Sequence, residues 1–265
     1  MKIALIGAGN LATNLGCALV RSGHEVCQVY SRTQASADAL ALKLASRGVS
    51  DLAEVVTDAQ LYIVALKDSA LSEVLPILLK GRNHALWVHT AGSVPMAIWS
   101  EHGLKHYGVL YPMQTFSKAR EVDFTDIPFF LEASGKMEMD ILKNVATSMS
   151  RNVHQADSEQ RRYLHLSAVF ACNFANAMYT ASARLLEEHG LSFEAMLPLI
   201  DETARKVHTL HPSEAQTGPA VRGDEAVMQS HIHRLAGMPD LQTLYARISK
   251  MIAELKIKRV SLSST

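Results

Sequence analysis

The strongest constraint on this chain stands at its start. An apolar, strand-forming run over 2–7 passes directly into Gly7-Ala8-Gly9-Asn10-Leu11-Ala12 and from there into a helical pattern. G-x-G-x-x-G/A between a strand and a helix is the fingerprint of a dinucleotide-binding βαβ unit. Gly7 permits the tight turn, Gly9 lets backbone N–H groups approach a pyrophosphate, and Ala12 lets the helix pack close to the strand. The helix N-terminus then meets the anion with its partial positive charge. The competing reading is a glycine turn that binds no nucleotide; the agreement of strand, loop and helix speaks against it.

The residues that follow sustain the alternation such a unit requires. Strand-like runs fall at 25–30, 61–66, 85–90, 107–111 and 127–131, and helical patterns at 11–21, 35–47, 69–79 and 136–148. This is the pattern of a doubly wound parallel sheet, a Rossmann domain over residues 1–153. Beyond Asp157 the strands stop. One long helix is expected over 158–189, with Leu164, Val169, Phe170 and Phe174 as apolar positions and Gly190 as its stop. Further helices are expected over 193–207, 224–235 and 241–255, with turn-rich segments at 211–222 and 237–240. Residues 154–265 therefore read as an all-helical domain, and the final Ser-rich residues as a frayed end.

Composition narrows the functional classes. The chain has 265 residues, 48% hydrophobic and 20% charged, the balance of a globular protein of one to two domains. Its 26 basic and 26 acidic residues cancel overall, and also within 1–153 (14 and 14) and 154–265 (12 and 12), which leaves no footprint for nucleic acid or an anionic membrane. No run of about 18 apolar residues is present, and glycines with Asn10 break the N-terminal run before it resembles a secretion signal. Cys17, Cys27 and Cys172 stand far apart without a C-x-x-C spacing, in keeping with a reducing cytoplasm and against a cysteine-rich zinc site.

The end of the second strand selects between cofactors. NAD sites usually place Asp or Glu there to accept from the ribose 2′-OH, whereas this chain has Ser31-Arg32-Thr33. Arg32 can pair with a 2′-phosphate, and Ser31 and Thr33 can donate to it, so NADP is expected over NAD. The alternative is that Arg32 is an ordinary solvated residue. Three other strand-end segments are candidates to line the cleft: Ala65-Leu66-Lys67, His89-Thr90-Ala91-Gly92-Ser93 and Tyr111-Pro112-Met113-Gln114-Thr115-Phe116. Of these, Leu66, Lys67, Thr90, Ala91 and Gly92 are assigned to cofactor and Ser93 and Thr115 to substrate, although each segment could equally be an ordinary turn.

On the long helix His165, Cys172 and Asn176 recur at i, i+7 and i+11, within about 20° of one face at 100° per residue, with Asn173 about 80° away. His165 can be a general acid, because hydride transfer to C=O or C=N needs a proton donor and histidine changes charge near neutral pH. It can also be a hydrogen-bonded histidine of a helical core or interface. The chain holds 12 histidines, yet His231 and His233 lie about 200° apart on a helix, and Pro212 breaks the pattern beside His208 and His211. No metal site is expected.

The fingerprint with Ser31-Arg32-Thr33 resembles the NADP-binding domains of pyrroline-5-carboxylate reductase and deazaflavin-dependent NADP reductase. The second half is similar to Rossmann-like proteins with a C-terminal domain of unknown function 2520. The resemblance there is carried by His165 with Ala168-Val169-Phe170-Ala171-Cys172-Asn173-Phe174, by Pro198-Leu199-Ile200 with Glu202, Thr203 and Lys206, and by the segment 216–224, QTGPAVRGD. Pro112-Met113-Gln114-Thr115-Phe116-Ser117 is similar to that family's Pro-Leu-Gln-Thr-Phe, with Met113 a departure. The resemblance implies a two-domain protein related in architecture to 6-phosphogluconate dehydrogenase, dimerising through the helical domain. The better-understood relatives use a helix Lys beside an Asn as acid or base; here His165 and Asn173 stand in those roles, so the reaction does not carry over from fold alone.

Together these residues point to an NADP-dependent oxidoreductase acting on a small C=O or C=N substrate held between the two domains. His165 is the expected proton donor, and Asn173 and Gln114 orient substrate or carboxamide. Arg222 offers a fork for an anionic substrate group, or an interface salt bridge, and Asp224 a helix cap. A non-catalytic NADP-binding sensor and a pyrroline-5-carboxylate reductase-like enzyme are the alternatives.

Overall fold

In the computed structural model, which describes residues 1–262 and side chains through residue 255, the chain divides into two compact units, Met1–Phe174 and Ala175 onward. The first holds β1 (Lys2–Ile6), α1 (Asn10–Arg21), β2 (Glu25–Tyr30), α2 (Gln34–Lys43), β3 (Arg47–Val49), β4 (Leu61–Val64), α3 (Asp68–Leu78), β5 (Leu86–His89), α4 (Ile98–Glu101), β6 (Tyr107–Pro112), β7 (Phe129–Ala133), α5 (Lys136–Thr147), β8 (Val153–Gln155) and α6 (Ser158–Ala168). The sheet order is β3-β2-β1-β4-β5-β6-β7-β8, with β1 to β6 parallel. The chain reverses between β1 and β4, the switch point at which open α/β sheets bind ligands.

The apolar runs at 61–64 and 86–88 are continuous rather than alternating because these strands are buried on both faces. Ile3, Leu5 and Ile63 point to one core with α1 and α5, and Ala4, Ile6 and Tyr62 to the other with α3. Tyr62 stacks on Trp87 at 4.1 Å between ring centroids, filling the second face.

The structure departs from the expected elements in several places, and Val153–Gln155 adds a short strand beside β7. The helix expected over 35–47 ends at Lys43; Ala45 turns with φ +50° and 47–49 adds an edge strand beside β2. The strand expected at 127–131 lies at 129–133 and runs antiparallel to β6, because 113–128 contains no crossover helix to return it in parallel. The long helix changes pitch: Val169–Phe174 is a π-helical turn. Its extra residue per turn breaks the 100° count that aligned His165 with Cys172 and Asn176. The face of α6 that turns inward carries buried Arg161, while Tyr163, Leu166, Phe170 and Phe174 are exposed.

The second unit comprises α7 (Ala175–Glu187), α8 (Leu197–Lys206), α9 (Pro212–Ala215), α10 (Pro219–Arg222), α11 (Glu225–Arg234) and α12 (Pro239–Leu262). Asp224 caps α11 by accepting from the Val227 N–H at 3.3 Å. Prolines open α9 and α10, where a missing N–H costs nothing. The Ser-rich end expected to fray lies, at Ser263–Thr265, outside the described residues. Among the described residues no helix is long and apolar enough to cross a membrane.

Candidate functional site

β1 ends in a turn that only glycine supports. Gly7 has φ +127°, donates its N–H to the Tyr30 carbonyl at 2.8 Å, and lies so close to the end of β4 that a Cβ would collide with the Ala65 carbonyl. Ala8 is buried, Ala12 is fully buried under the helix, and Leu11 is half-buried beside them. A Cβ at Gly9 would meet nothing within 4 Å, so the loop faces open space there, with Asn10 exposed at its rim. No side chain caps α1, and no acidic residue stands in its first turn. Its free N–H groups thus present an unshielded positive end.

The neighbouring strand ends lie on the same sheet edge. After β2, Ser31 is half-buried, and the exposed Arg32 side chain has no hydrogen bond or ion pair among the described residues. Thr33 donates its hydroxyl to Ser36 at 2.8 Å. After β4, Leu66 packs beside Gly7 and Lys67 is exposed ahead of α3. Asp68, the first residue of α3, accepts the Ser93 hydroxyl and so ties the β4 loop to the β5 loop. These features fit an NADP-type dinucleotide: a glycine cradle open to an anion, a free guanidinium at the ribose end, and no carboxylate at the tip of β2.

His165 is built into this edge. A Cβ on Gly92 would stand 2.7 Å from His165 Cγ and 2.8 Å from its Cβ and Nδ1, so the absent side chain is what lets the imidazole rest on the loop after β5. From β6, the Tyr111 hydroxyl lies 3.2 Å from His165 Nδ1, with the rings edge-on at 6.2 Å. Burial pushes the Tyr111 phenol above its ordinary pKa; Arg161 opposes the rise and Asp68 adds to it, so the hydroxyl keeps its proton at neutral pH.

One turn before His165, Arg161 fixes the helix. Its side chain is completely buried, forms an ion pair with Glu132 of β7, and donates to the Val94 carbonyl at 2.6 Å. Ser158 joins the cluster, donating to Glu132 at 2.8 Å and accepting from the Met96 N–H at 2.9 Å. His89, at the end of β5, is buried without solvent contact and accepts the Ala91 N–H on Nδ1 at 3.2 Å, while its Nε2 has no hydrogen-bond partner. Burial, with Arg161 adding to it, drives His89 down to about 3, so it is neutral at any ordinary pH.

Other expected residues lie around or away from this cluster. Gln114 and Thr115 are exposed after β6, and Gln114 Oε1 accepts the Thr115 N–H at 2.8 Å. Asn14 holds this segment to α1, donating to the Ser117 carbonyl at 2.9 Å and accepting the Val122 N–H at 3.1 Å. Asn173 is exposed within the π-helical turn. Arg222 is exposed at the end of α10 in the second unit, without a hydrogen bond or ion pair among the described residues. Sequence reasoning did not single out Tyr111, Asp68, Arg161, Glu132, His89 or Asn14. Only Tyr111 and His89 carried a signal, as strand-end residues within segments already suspected.

The two halves of the chain match different families. Residues 2–88 match the family described as NADP oxidoreductase, coenzyme F420-dependent, and residues 127–252 match the domain of unknown function 2520. A Bacteroides fragilis protein described as a putative NADP oxidoreductase is 57% identical, with a TM-score of 0.93 over 96% of this chain and 98% of that one. A Thermotoga maritima protein is 23% identical, with a TM-score of 0.70 over 97% and 99% of the two chains. An imine reductase from Myxococcus stipitatus, in complex with NADP+, is 16% identical at a TM-score of 0.65 over 99% and 95%, and at that identity the likeness is one of fold. No curated protein matches the chain.

Proposed function

Because the chain belongs to the family that joins an NADP oxidoreductase domain to a domain of unknown function 2520, we propose that it reduces or oxidises a small substrate at a C=O or C=N bond, with His165 moving the proton. When bound, NADP supplies or accepts the hydride. The loop Gly7 to Ala12 holds the pyrophosphate at the start of α1, and Arg32 with Ser31 and Thr33 holds the 2′-phosphate. Leu66, Lys67, Thr90, Ala91 and Gly92 line the cofactor along the strand ends.

The observation that carries this reading is the seat of His165: an imidazole resting on Gly92 at the sheet edge that also bears the glycine loop. A histidine there can give a proton to the oxygen or nitrogen of a reduced double bond. Asn173 and Gln114 orient substrate or carboxamide, and Ser93 and Thr115 face substrate. The helices from α6 to α12 form a homodimer interface, to which the exposed Tyr163, Leu166, Phe170 and Phe174 contribute the apolar surface. The protein works in the cytoplasm.

The test begins with titration of the purified protein by NADPH and NADH, followed by a screen of small ketones, aldehydes and imines. NADPH binding well above NADH, turnover of one substrate class, and a loss of about 10²–10⁴ in rate on His165→Ala with cofactor affinity kept are the expected results. Binding without turnover of any substrate would favour a nucleotide-sensing protein. Turnover of pyrroline-5-carboxylate would place the chain with that reductase.

A further inference from the structure

A histidine that delivers a proton from one ring nitrogen must have the other nitrogen fixed, or the ring turns and the two exchange roles. We infer that Tyr111 is a positioning residue for His165: its oxygen accepts the Nδ1–H and leaves Nε2 as the nitrogen that gives up the proton. This inference rests on the oxidoreductase reading and assigns a role to a side chain outside the expected site.

The geometry limits the alternatives. Gly92 lies against the Cβ, Cγ and Nδ1 side of His165, so that side of the ring is closed, and the Tyr111 hydroxyl 3.2 Å away is the hydrogen-bond partner of Nδ1. Nε2 has no partner among the described residues and is not enclosed. The charged groups nearby are spoken for: Arg161 on the same helix is paired with Glu132 of β7, Asp68 of α3 accepts the Ser93 hydroxyl, and His89 of β5 is neutral. A phenol suits this position because its oxygen accepts a hydrogen bond while carrying no charge. The same Nδ1–H bond serves the imidazolium and the neutral ring, so the ring keeps one orientation through the cycle.

In the reductive direction the Nε2–H bond breaks, and its proton joins the substrate oxygen or nitrogen as that atom takes the π electron pair. The carbon receives two electrons and a hydrogen from the reduced nicotinamide. The imidazole left behind is neutral, with its remaining proton on Nδ1 against the Tyr111 oxygen, and solvent restores the proton on Nε2 once product has left.

The experiment is histidine ¹⁵N NMR across a pH titration of the cofactor-free protein and of Tyr111→Phe, with His165→Gln identifying the His165 signals. Removal of the hydroxyl is expected to move the Nδ1 resonance of His165 while those of the other histidines stay in place. In the active protein, Tyr111→Phe is expected to lower kcat about tenfold with KM for NADPH unchanged. An Nδ1 resonance identical in the two proteins would overturn the inference. So would a wild-type spectrum whose neutral His165 carries its proton on Nε2, a result that needs no variant to fold. Absence of turnover in the wild type would count against the oxidoreductase reading alone, since the NMR result does not depend on it.

Discussion

Gly92→Ala tests the site at its tightest contact. The added methyl would stand 2.7 Å from His165 Cγ and 2.8 Å from its Cβ, against the roughly 3.5–4.0 Å at which carbon atoms normally rest. Relief therefore needs a shift of about 0.8–1.3 Å, and because one clash is with Cβ, rotation of the ring alone cannot provide it. The loop or the start of α6 has to move, and α6 is held by the buried Arg161–Glu132 pair. A displacement of about 1 Å at a reacting group can cost about 10²-fold in rate. The glycine cradle lies on β1, across β4 from this contact. The expected result in steady-state kinetics is a kcat lower by about 10²-fold. A variant with full kcat, properly folded by circular dichroism, would refute the claim that His165 must sit where Gly92 allows it.

Other outcomes follow from the same contacts. Arg32→Ala should weaken NADPH binding by roughly 10–100-fold and leave NADH binding unchanged in parallel titrations, since only the former has a phosphate for the guanidinium. Glu132→Ala strands the buried Arg161 guanidinium and should cost about 3–5 kcal/mol in urea unfolding; a loss under about 1 kcal/mol would mean Arg161 finds water. His89 titrates at about 3 when folded and near 6.5 when unfolded, so the unfolded chain takes up a proton first as pH falls. Its contribution is complete above about pH 6.5, and about 2 kcal/mol of it is lost by about pH 5. His89→Gln should remove that part of the acid sensitivity, and equal losses in both proteins would rule it out.

The Rossmann half was readable because its signals are local. The glycine fingerprint occupies six consecutive residues, 7–12, and the doubly buried strands announce themselves as continuous apolar runs. Edge elements escaped: Arg47–Val49 and Val153–Gln155 are short and make sense only beside β2 and β7. The reversal of β7 depends on what a connection lacks, which no residue advertises. At the site, His165 stood out as a histidine on a helix, but its partner Tyr111 is 54 residues away in sequence. Arg161 reads as one polar residue among Ser158-Glu159-Gln160-Arg161-Arg162, and nothing local marks it for complete burial. The π-helical turn shows the limit of counting at 100° per residue: one change of pitch rotates every later position.

Asn14 bears on how separable the parts of this domain are. Its amide joins the second turn of α1 to the segment after β6 through the Ser117 carbonyl and the Val122 N–H, and it is itself buried. A stretch of chain without regular structure thus borrows its shape from the helix that opens with the glycine loop. Transplanting β1 and α1 from another dinucleotide-binding protein would carry over the fingerprint but drop this clasp, unless an asparagine stood at the same turn. The nucleotide cradle and the Gln114–Thr115 segment are therefore one inherited piece, and a designer exchanging cofactor preference has to edit residues within that piece rather than replace it.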